Sequence, residues 1–189
     1  MNQYFILSKP NDKKVEDNST DGVISLNKCN IYILPKNNLS YYNSNGLFEA
    51  SLIEWCKVFS NTEKIMLDIG AHTGTYSIAL NKCFREVHSF EPQRMTYYAL
   101  SGSVALSGIT NIYCHNFGLG SESQVGEQSL KIVSVDGGGS GLHNTSGIIA
   151  EEKIKIKTLD SMNMDNIGFI KIDVEDNLLA CSCYARLPL

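Results

Sequence analysis

The chain has 189 residues, the size of a single domain, and 43% of them are apolar. This composition is typical of a chain that buries a core and excludes the highly charged, weakly hydrophobic class of disordered proteins. The 16 basic and 20 acidic residues give a formal net charge of −4 without a basic block. The charge balance therefore argues against a nucleic-acid-binding protein that depends on phosphate neutralisation.

The sequence contains neither a membrane-spanning pattern nor an export signal. No segment approaches about 18 uninterrupted apolar residues, and the apolar patch from Tyr4 to Leu7 is too short for the core of a signal peptide. We therefore expect a cytoplasmic protein with no membrane partner. The six cysteines form no C-x-x-C pair, so we interpret them as small buried side chains and predict no metal site.

The chain divides into three regions by composition. Residues 1–45 are polar and rich in asparagine, and two short β-like runs, Gly22–Leu26 and Asn30–Leu34, predict a small hairpin or an extra edge. Residues 46–176 form the predicted domain, and residues 177–189 an atypical tail. The domain opens with apolar residues at spacings of three and four between Phe48 and Phe59, which predicts a helix.

Strands and helices then alternate along the predicted domain. The strands are expected at Lys64–Ile69, Glu86–Phe90 and Asn111–Asn116, and the helices between them at Thr75–Cys83 and Arg94–Ser107. Strands that are separated by helices of this length indicate right-handed crossovers and a parallel sheet. The predicted fold class is therefore α/β, with a Rossmann-like parallel sheet.

The alternation stops after Phe117. Two alternating runs, Leu130–Val135 and Lys153–Thr158, flank a glycine-rich segment at residues 136–142, which predicts an inserted β-hairpin with a loop at its tip. A fourth parallel strand follows at Gly168–Val174.

The turn after the first strand has the composition of a nucleotide-binding loop. Asp68 ends the strand, Gly70 and Gly74 allow a sharp turn and a close approach of a ligand, and a helix begins near Thr75. His72 occupies the usual place of a middle glycine and is expected to touch the ligand. A pyrophosphate needs that close central approach, so the loop favours a nucleoside cofactor that carries an amino acid.

All four predicted parallel strands end in polar side chains. Glu91 lies 17 residues beyond Gly74, near the spacing at which such folds present a carboxylate to ribose hydroxyls. Asn116 and Asp173 end the next two strands. A single residue of this kind is usually a helix cap or a solvated turn. Because the carboxyl ends of parallel strands share one edge of the sheet, the four together predict a cofactor site.

The sequence resembles the FkbM family of S-adenosylmethionine-dependent methyltransferases. The segments that carry the resemblance are Gly46-Leu-Phe-Glu49, Leu67-Asp-Ile-Gly-Ala-His-Thr-Gly74, Ser89-Phe-Glu-Pro92, Asn116-Phe-Gly-Leu-Gly120, Gly139-Ser-Gly-Leu142, Lys157-Thr-Leu-Asp160 and Phe169-Ile-Lys-Ile-Asp-Val-Glu175. The resemblance implies a class I methyltransferase fold, S-adenosylmethionine as cofactor, and methyl transfer to a hydroxyl of a sugar or another small molecule.

The same resemblance implies roles for individual residues. Asp68, Gly70 and Gly74 would hold the methionine end of the cofactor, Glu91 would bind the ribose, and Asn116 would lie near the adenine. Asp173 and Glu175 would face the reacting centre. An attacking alcohol loses its proton, so we expect a general base there, and Asp173 is the first candidate; a divalent metal on the acceptor hydroxyl is the alternative.

The chain departs from the family pattern after Glu175. Asp176 stands where a glycine is expected, and only thirteen residues follow. We therefore expect a truncated sheet that lacks its C-terminal strands and leaves the fourth strand, with Phe169, Ile170 and Ile172, uncovered. Such an edge predicts low stability or self-association. A cofactor-binding module without activity, or an NAD(P)- or FAD-dependent oxidoreductase, remain alternative functions.

Overall fold

The computed structural model describes residues 4–10 and 29–175. Its strands are β1 (Tyr4–Pro10), β2 (Cys29–Pro35), β3 (Asn61–Ile69), β4 (Phe84–Phe90), β5 (Ile112–His115), β6 (Gly118–Leu119), β7 (Gly126–Ile132), β8 (Ala150–Lys157) and β9 (Ile167–Ile172). Its helices are α1 (Leu39–Asn45), α2 (Ala50–Cys56), α3 (Thr75–Leu80) and α4 (Arg94–Leu106). Within these residues, no helix combines the length and the apolar character that a membrane crossing requires.

The central sheet confirms the predicted α/β class. Its four strands are parallel and lie in the order β5-β4-β3-β9. The chain moves outward from β3 through α3 to β4 and through α4 to β5, and it then returns to the opposite edge of β3 as β9. The strand order therefore reverses between β3 and β9, and ligand crevices of open α/β sheets lie at such reversals, beyond the carboxyl ends of the strands.

The apolar run at the end of β3 explains its central place. All five residues from Ile65 to Ile69 are buried, as expected for a strand with neighbours on both edges and cover on both faces. Met66 packs with Ile78 and Leu100 on the helical side. Leu67 and Ile69 pack on the other side, in a cluster that is completed by Phe90 and Leu119 and by the segments around Phe117 and Met162.

The N-terminal hairpin forms with a partner that the sequence pattern did not indicate. The predicted strand Asn30–Leu34 is confirmed within β2, but it pairs in an antiparallel manner with β1. The other predicted run, Gly22–Leu26, lies outside the described residues. β2 packs against α4, where the backbone N–H groups of Ile31 and Ile33 donate hydrogen bonds to the hydroxyls of Ser107 and Ser103 at 2.7 and 2.8 Å.

The inserted hairpin is confirmed as the antiparallel pair β7 and β8. The short strand β6 joins β8 in parallel, so the insertion forms a separate three-stranded sheet. Leu130, Ile154 and Ile156 form its small core. The connection between β7 and β8 carries the glycine-rich segment, residues 136–142, to the carboxyl edge of the central sheet.

Candidate functional site

A cavity of about 380 Å³ opens at the carboxyl edge of the central sheet, beside the reversal between β3 and β9. This volume lies in the range of small-molecule and cofactor pockets. The predicted site residues that line it are Gly70, His72, Glu91, Asp173 and Glu175. Three other predicted site residues, Asp68, Gly74 and Asn116, lie outside the lining. The structure therefore brings most of the predicted site residues together in one cavity and places the other three outside its wall.

Gly70 forms the turn that follows β3. Its φ of +75° is a conformation that side-chain-bearing residues rarely adopt, and an added Cβ would overlap the carbonyl oxygen of Asp173. The backbone N–H of Gly70 donates to the carbonyl oxygen of Phe90 at 3.0 Å. The ends of β3, β4 and β9 thus converge on this residue, which explains why the position requires glycine.

Asp68 lies behind the cavity wall and is fully buried. Its Oδ2 accepts hydrogen bonds from the backbone N–H of Ser77, at 3.1 Å, and from the Ser77 hydroxyl. Its Oδ1 lies 3.2 Å from the ammonium of Lys171. The carboxylate therefore anchors the first turn of α3 to the end of β3 and occupies the backbone N–H of Ser77.

Gly74 precedes α3 and faces away from the cavity. A Cβ at this position would lie 2.5 Å from Cδ1 of Leu100 on α4. The second glycine of the loop thus lets α3 pack closely against α4.

Glu91 follows β4 and is the buried carboxylate of the cavity wall. Its two oxygens accept hydrogen bonds from the backbone N–H groups of His72 and Gln93, both at 2.9 Å. Burial raises the pKa of Glu91 to about 7, although these hydrogen bonds and the charge of Lys171 act in the opposite direction. A carboxylate oxygen can accept a second hydrogen bond, so Glu91 can still receive hydroxyl groups from the cavity.

His72 connects the turn after β3 with the glycine-rich segment. Its backbone adopts a φ of +50°. Its Nε2 lies 2.7 Å from the carbonyl oxygen of Asp136, and because a carbonyl only accepts, Nε2 carries the proton. The place of a middle glycine is thus occupied by a side chain that binds the loop above the cavity.

Asp136 holds the glycine-rich segment in turn. Its carboxylate accepts hydrogen bonds from the side-chain amides of Asn37 and Asn38, at 3.0 and 2.9 Å, and from the hydroxyl of Ser134 at 2.7 Å. Partial burial acts to raise the pKa of Asp136, but these hydrogen bonds outweigh it and lower the pKa to about 2. Asp136 is therefore a stable negative charge in the cavity wall.

Asn116 supports the turn after β4. Its side-chain amide donates to the carbonyl oxygens of Glu91 and Pro92, at 3.0 and 3.1 Å. The structure thus places Asn116 where it shapes the backbone that carries Glu91.

Asp173 and Glu175 lie at the mouth of the cavity, directly after β9. The side chain of Asp173 is 69% exposed, and its Oδ2 lies 3.7 Å from the ammonium of Lys171. Glu175 is exposed as well. Both carboxylates can therefore meet a second ligand that enters from solvent.

The lining also includes residues with no predicted role, among them Tyr76, Glu49 and Lys171. The hydroxyl of Tyr76 donates to Oε2 of Glu49 at 2.7 Å, and the ammonium of Lys171 lies 5.2 Å from the centre of the Tyr76 ring. Burial, with the Glu49 contact as the next cause, raises the pKa of Tyr76. A lysine inside the otherwise apolar run of β9 is the sequence signal that could have identified Lys171. Glu49 was visible only as the last residue of a matching segment.

The charge of the lining is predominantly negative. The described lining residues include five carboxylates, on Glu49, Glu91, Asp136, Asp173 and Glu175, and one ammonium, on Lys171. Aromatic rings also contribute to the lining, from Tyr42, Phe48, Tyr76 and Phe90. Such a wall favours a ligand with positive charge and disfavours one that carries several phosphates.

Within residues 4–10 and 29–175, no group of three or more His, Cys, Asp or Glu side chains is arranged to hold a metal ion. The carboxylates of the cavity are distributed around its wall.

No protein-family model matches the chain, and no curated protein matches it either. Partial likenesses exist among solved structures. An rRNA methylase from Streptococcus thermophilus is 19% identical over 36% of this chain and 41% of its own, with a TM-score of 0.34. The YcgJ protein from Bacillus subtilis is 19% identical over 32% of this chain and 26% of its own, with a TM-score of 0.31.

A third likeness covers more of the chain. Methyltransferase FkbM from Methylobacillus flagellatus KT is 21% identical over 64% of this chain and 28% of its own, with a TM-score of 0.44. The chain spans less than half the length of each of these three proteins. The fold class therefore rests on the sheet order itself: the chain has an α/β fold with a Rossmann-like parallel sheet.

Proposed function

We propose that the chain binds S-adenosylmethionine and transfers its methyl group to a hydroxyl of a small molecule such as a sugar. The charge of the cavity carries this proposal. S-adenosylmethionine has a sulfonium, an ammonium and a carboxylate, so its net charge is positive and suits a lining of five carboxylates and one ammonium. The pyrophosphate of a dinucleotide would meet like charges in the same place.

The wall around Glu91 supports the nucleoside half of this ligand. Glu91 is buried beside the Gly70 turn, and its carboxylate can accept hydrogen bonds from the two ribose hydroxyls. Those hydrogen bonds would favour the ionised carboxylate, whose pKa burial raises to about 7. Binding at slightly acid pH should therefore release a proton from Glu91.

The other end of the cavity supports the transfer step. S-adenosylmethionine supplies a methyl group that its positive sulfur already activates. The chain aligns the acceptor with that group, an effect of position that can contribute several kcal/mol. Asp173 would accept the proton of the acceptor hydroxyl as the oxygen–carbon bond forms and the carbon–sulfur bond breaks, and its exposure at the mouth leaves room for an acceptor from solvent.

Isothermal titration calorimetry with S-adenosylhomocysteine tests the cofactor assignment. We expect the wild type to bind S-adenosylhomocysteine. At pH 6.5, a comparison of buffers with different heats of ionisation should show that binding releases up to about one proton. Glu91→Gln should lose both the binding and the proton release. Glu63→Gln, an exposed glutamate at the start of β3, is the matched control and should bind as the wild type does.

Two results would contradict the proposal in different ways. Binding of NAD without binding of S-adenosylhomocysteine would favour an oxidoreductase. Binding of S-adenosylhomocysteine without methyl transfer from a labelled donor to any member of a panel of sugars and sugar nucleotides would favour a cofactor-binding module.

A further inference from the structure

Lys171 is the lysine in the middle of β9, and its ammonium reaches the cavity. Within the described part of the chain, it is the cavity's only lining residue with an ammonium or guanidinium group. Its side chain is 14% exposed. The ammonium therefore lies mostly out of water but keeps access to the cavity.

The contacts of Lys171 leave part of its hydrogen-bonding capacity for a ligand. Its Nζ donates to the carbonyl oxygen of Gly70 at 2.8 Å and lies 3.2 Å from Oδ1 of Asp68. The nearest oxygen of Asp173 is 3.7 Å away, beyond hydrogen-bond distance. An ammonium has three N–H donors. The hydrogen bond to Gly70 uses one of them, and the contact with Asp68 is an ion pair in which Oδ1 accepts no hydrogen bond, so donor capacity remains for the cavity side.

We propose that Lys171 binds the carboxylate of the amino-acid part of the cofactor. This inference rests on the proposed function, which supplies a ligand with such a carboxylate. A carboxylate that enters a wall of five carboxylates needs a cation to offset the repulsion, and Lys171 is the cation that the described lining provides. The ammonium of the ligand would then face the carboxylate of Glu49.

This contact sets the direction of the ligand across the cavity. Glu91 follows β4, and Lys171 lies on β9, with the Gly70 turn of β3 between them. A ribose at Glu91 and an amino-acid carboxylate at Lys171 therefore place the ligand across the carboxyl edge from β4 to β9. The sulfur between them comes near the mouth, where Asp173 and Glu175 lie.

The competing explanation is that Lys171 only neutralises the buried carboxylate of Asp68. A structural role of that kind would affect every cavity ligand alike. A direct contact would affect only ligands that possess the carboxylate. The two explanations thus differ in ligand discrimination, which stability alone would not report.

Calorimetry with two ligands measures this discrimination: S-adenosylhomocysteine, and the analogue of it that lacks only the carboxylate. We expect the wild type to bind S-adenosylhomocysteine at least about tenfold more tightly than the analogue. Lys171→Met should lower the affinity for S-adenosylhomocysteine by about tenfold or more and change the affinity for the analogue by less than about threefold. Lys155→Met, an exposed lysine on β8, should keep the wild-type ratio.

Lys171→Met leaves Asp68 as a buried, unpaired charge and can therefore unfold the chain. The double variant Asp68→Asn/Lys171→Met removes both charges and is expected to show the same loss of discrimination. Two results would overturn the role of Lys171 while the proposed function stands. One is a folded variant that keeps the wild-type ratio of affinities for S-adenosylhomocysteine and the analogue. The other is an equal loss of affinity for both ligands. A wild type that binds neither ligand would instead overturn the proposed function, and this inference with it.

Discussion

The neighbouring strands β3 and β9 each have an aspartate at the carboxyl end, Asp68 within β3 and Asp173 directly after β9, yet the two carboxylates have opposite surroundings. Asp68 of β3 is fully buried and is held by Ser77 and Lys171. Asp173, directly after β9, has a side chain that is 69% exposed. β3 has a strand on each side, whereas β9 borders the sheet among the described residues. The same sequence signal therefore yields a structural carboxylate in one strand and an accessible one in the next.

Along this edge of the sheet, the contrast predicts that some residues contribute to the stability of the fold and others to the reaction. Groups at the end of β3 are engaged by the protein itself, so changes there should mainly alter the free energy of unfolding. Groups after β9 face solvent and the cavity mouth, so changes there should mainly alter turnover. The following variants test that division, from the largest expected effect to the smallest.

Gly70→Ala should cause the largest loss. The new Cβ would overlap the carbonyl oxygen of Asp173 and lie 2.9 Å from its carbonyl carbon, and φ is +75°. Backbone cannot yield as a flexible side chain does, so we expect a loss of about 3–5 kcal/mol in the free energy of unfolding. Chemical denaturation measures this loss. Gly108→Ala, with a φ of +62° and open space around it, should lose only about 1 kcal/mol; equal losses would refute the proposed clash.

Asp68→Asn should destabilise the fold by about 3 kcal/mol, because it leaves the ammonium of Lys171 mostly buried beside a neutral amide. Asp173→Asn should change stability by less than about 0.5 kcal/mol, because its carboxylate is exposed. Denaturation curves of the two variants compare the two strands directly. Similar losses for both would show that the strand ends are not divided as described.

The aspartate after β9 should affect the rate of methyl transfer. If Asp173 accepts the acceptor proton, Asp173→Asn should lower methyl transfer by about a hundredfold and leave the affinity for S-adenosylhomocysteine unchanged. Transfer from a labelled donor, followed over pH, measures the first effect, and calorimetry measures the second. Asp165→Asn, an exposed aspartate just before β9, should retain wild-type turnover. An unaffected rate in Asp173→Asn would remove this residue as the general base.

Glu91, on the opposite side of β3 from β9, should make stability depend on pH. Its pKa in the folded chain is raised from 4.5 to about 7, so between these values the folded state keeps a proton that the unfolded state has released. The free energy of unfolding should therefore fall as the pH rises through this range, by about 3 kcal/mol for this carboxyl.

The difference between wild type and Glu91→Gln isolates that dependence. Burial lowers the pKa of His115 to about 4, which acts in the opposite direction below pH 6.5, but this contribution is common to both proteins. Denaturation should be measured at pH 5 and at pH 8. The free energy of unfolding of the wild type, relative to that of Glu91→Gln, should be higher at pH 5 than at pH 8. A gap that does not depend on pH would contradict the raised pKa.

The smallest expected effect concerns self-association through the edge strand β9. We propose that copies of the chain associate through this edge, where Ile172 is 41% exposed. Sedimentation velocity should show association that depends on concentration, with a dissociation constant about tenfold higher in Ile172→Lys. Val58→Lys, at an exposed apolar position outside the sheet, is the matched control. A wild type that stays monomeric at all concentrations would refute the proposal.

The alternation of strands and helices was predictable because it is local. Apolar runs such as Ile65–Leu67 and the spacing within α4 determine secondary structure over a few residues. The reversal of strand order between β3 and β9 was not predicted, because the right-handed rule fixes the hand of each crossover but not the edge of the sheet that the next strand joins. The partner of β2 was not predictable. β2 pairs with β1, whereas the sequence pattern indicated Gly22–Leu26 as the neighbouring β-like run and did not identify β1 as a strand.

The sequence by itself thus determined the parallel sheet and the positions at which polar residues follow its strands. Only the tertiary structure decided which of these residues face the cavity: it buried Asp68 and left Asp173 exposed. It also brought Lys171 to the carbonyl of Gly70, 101 residues away in the chain, and Tyr76 to Glu49. The physical reason is that burial and hydrogen bonding at the site depend on neighbours distant in sequence, which no local pattern specifies.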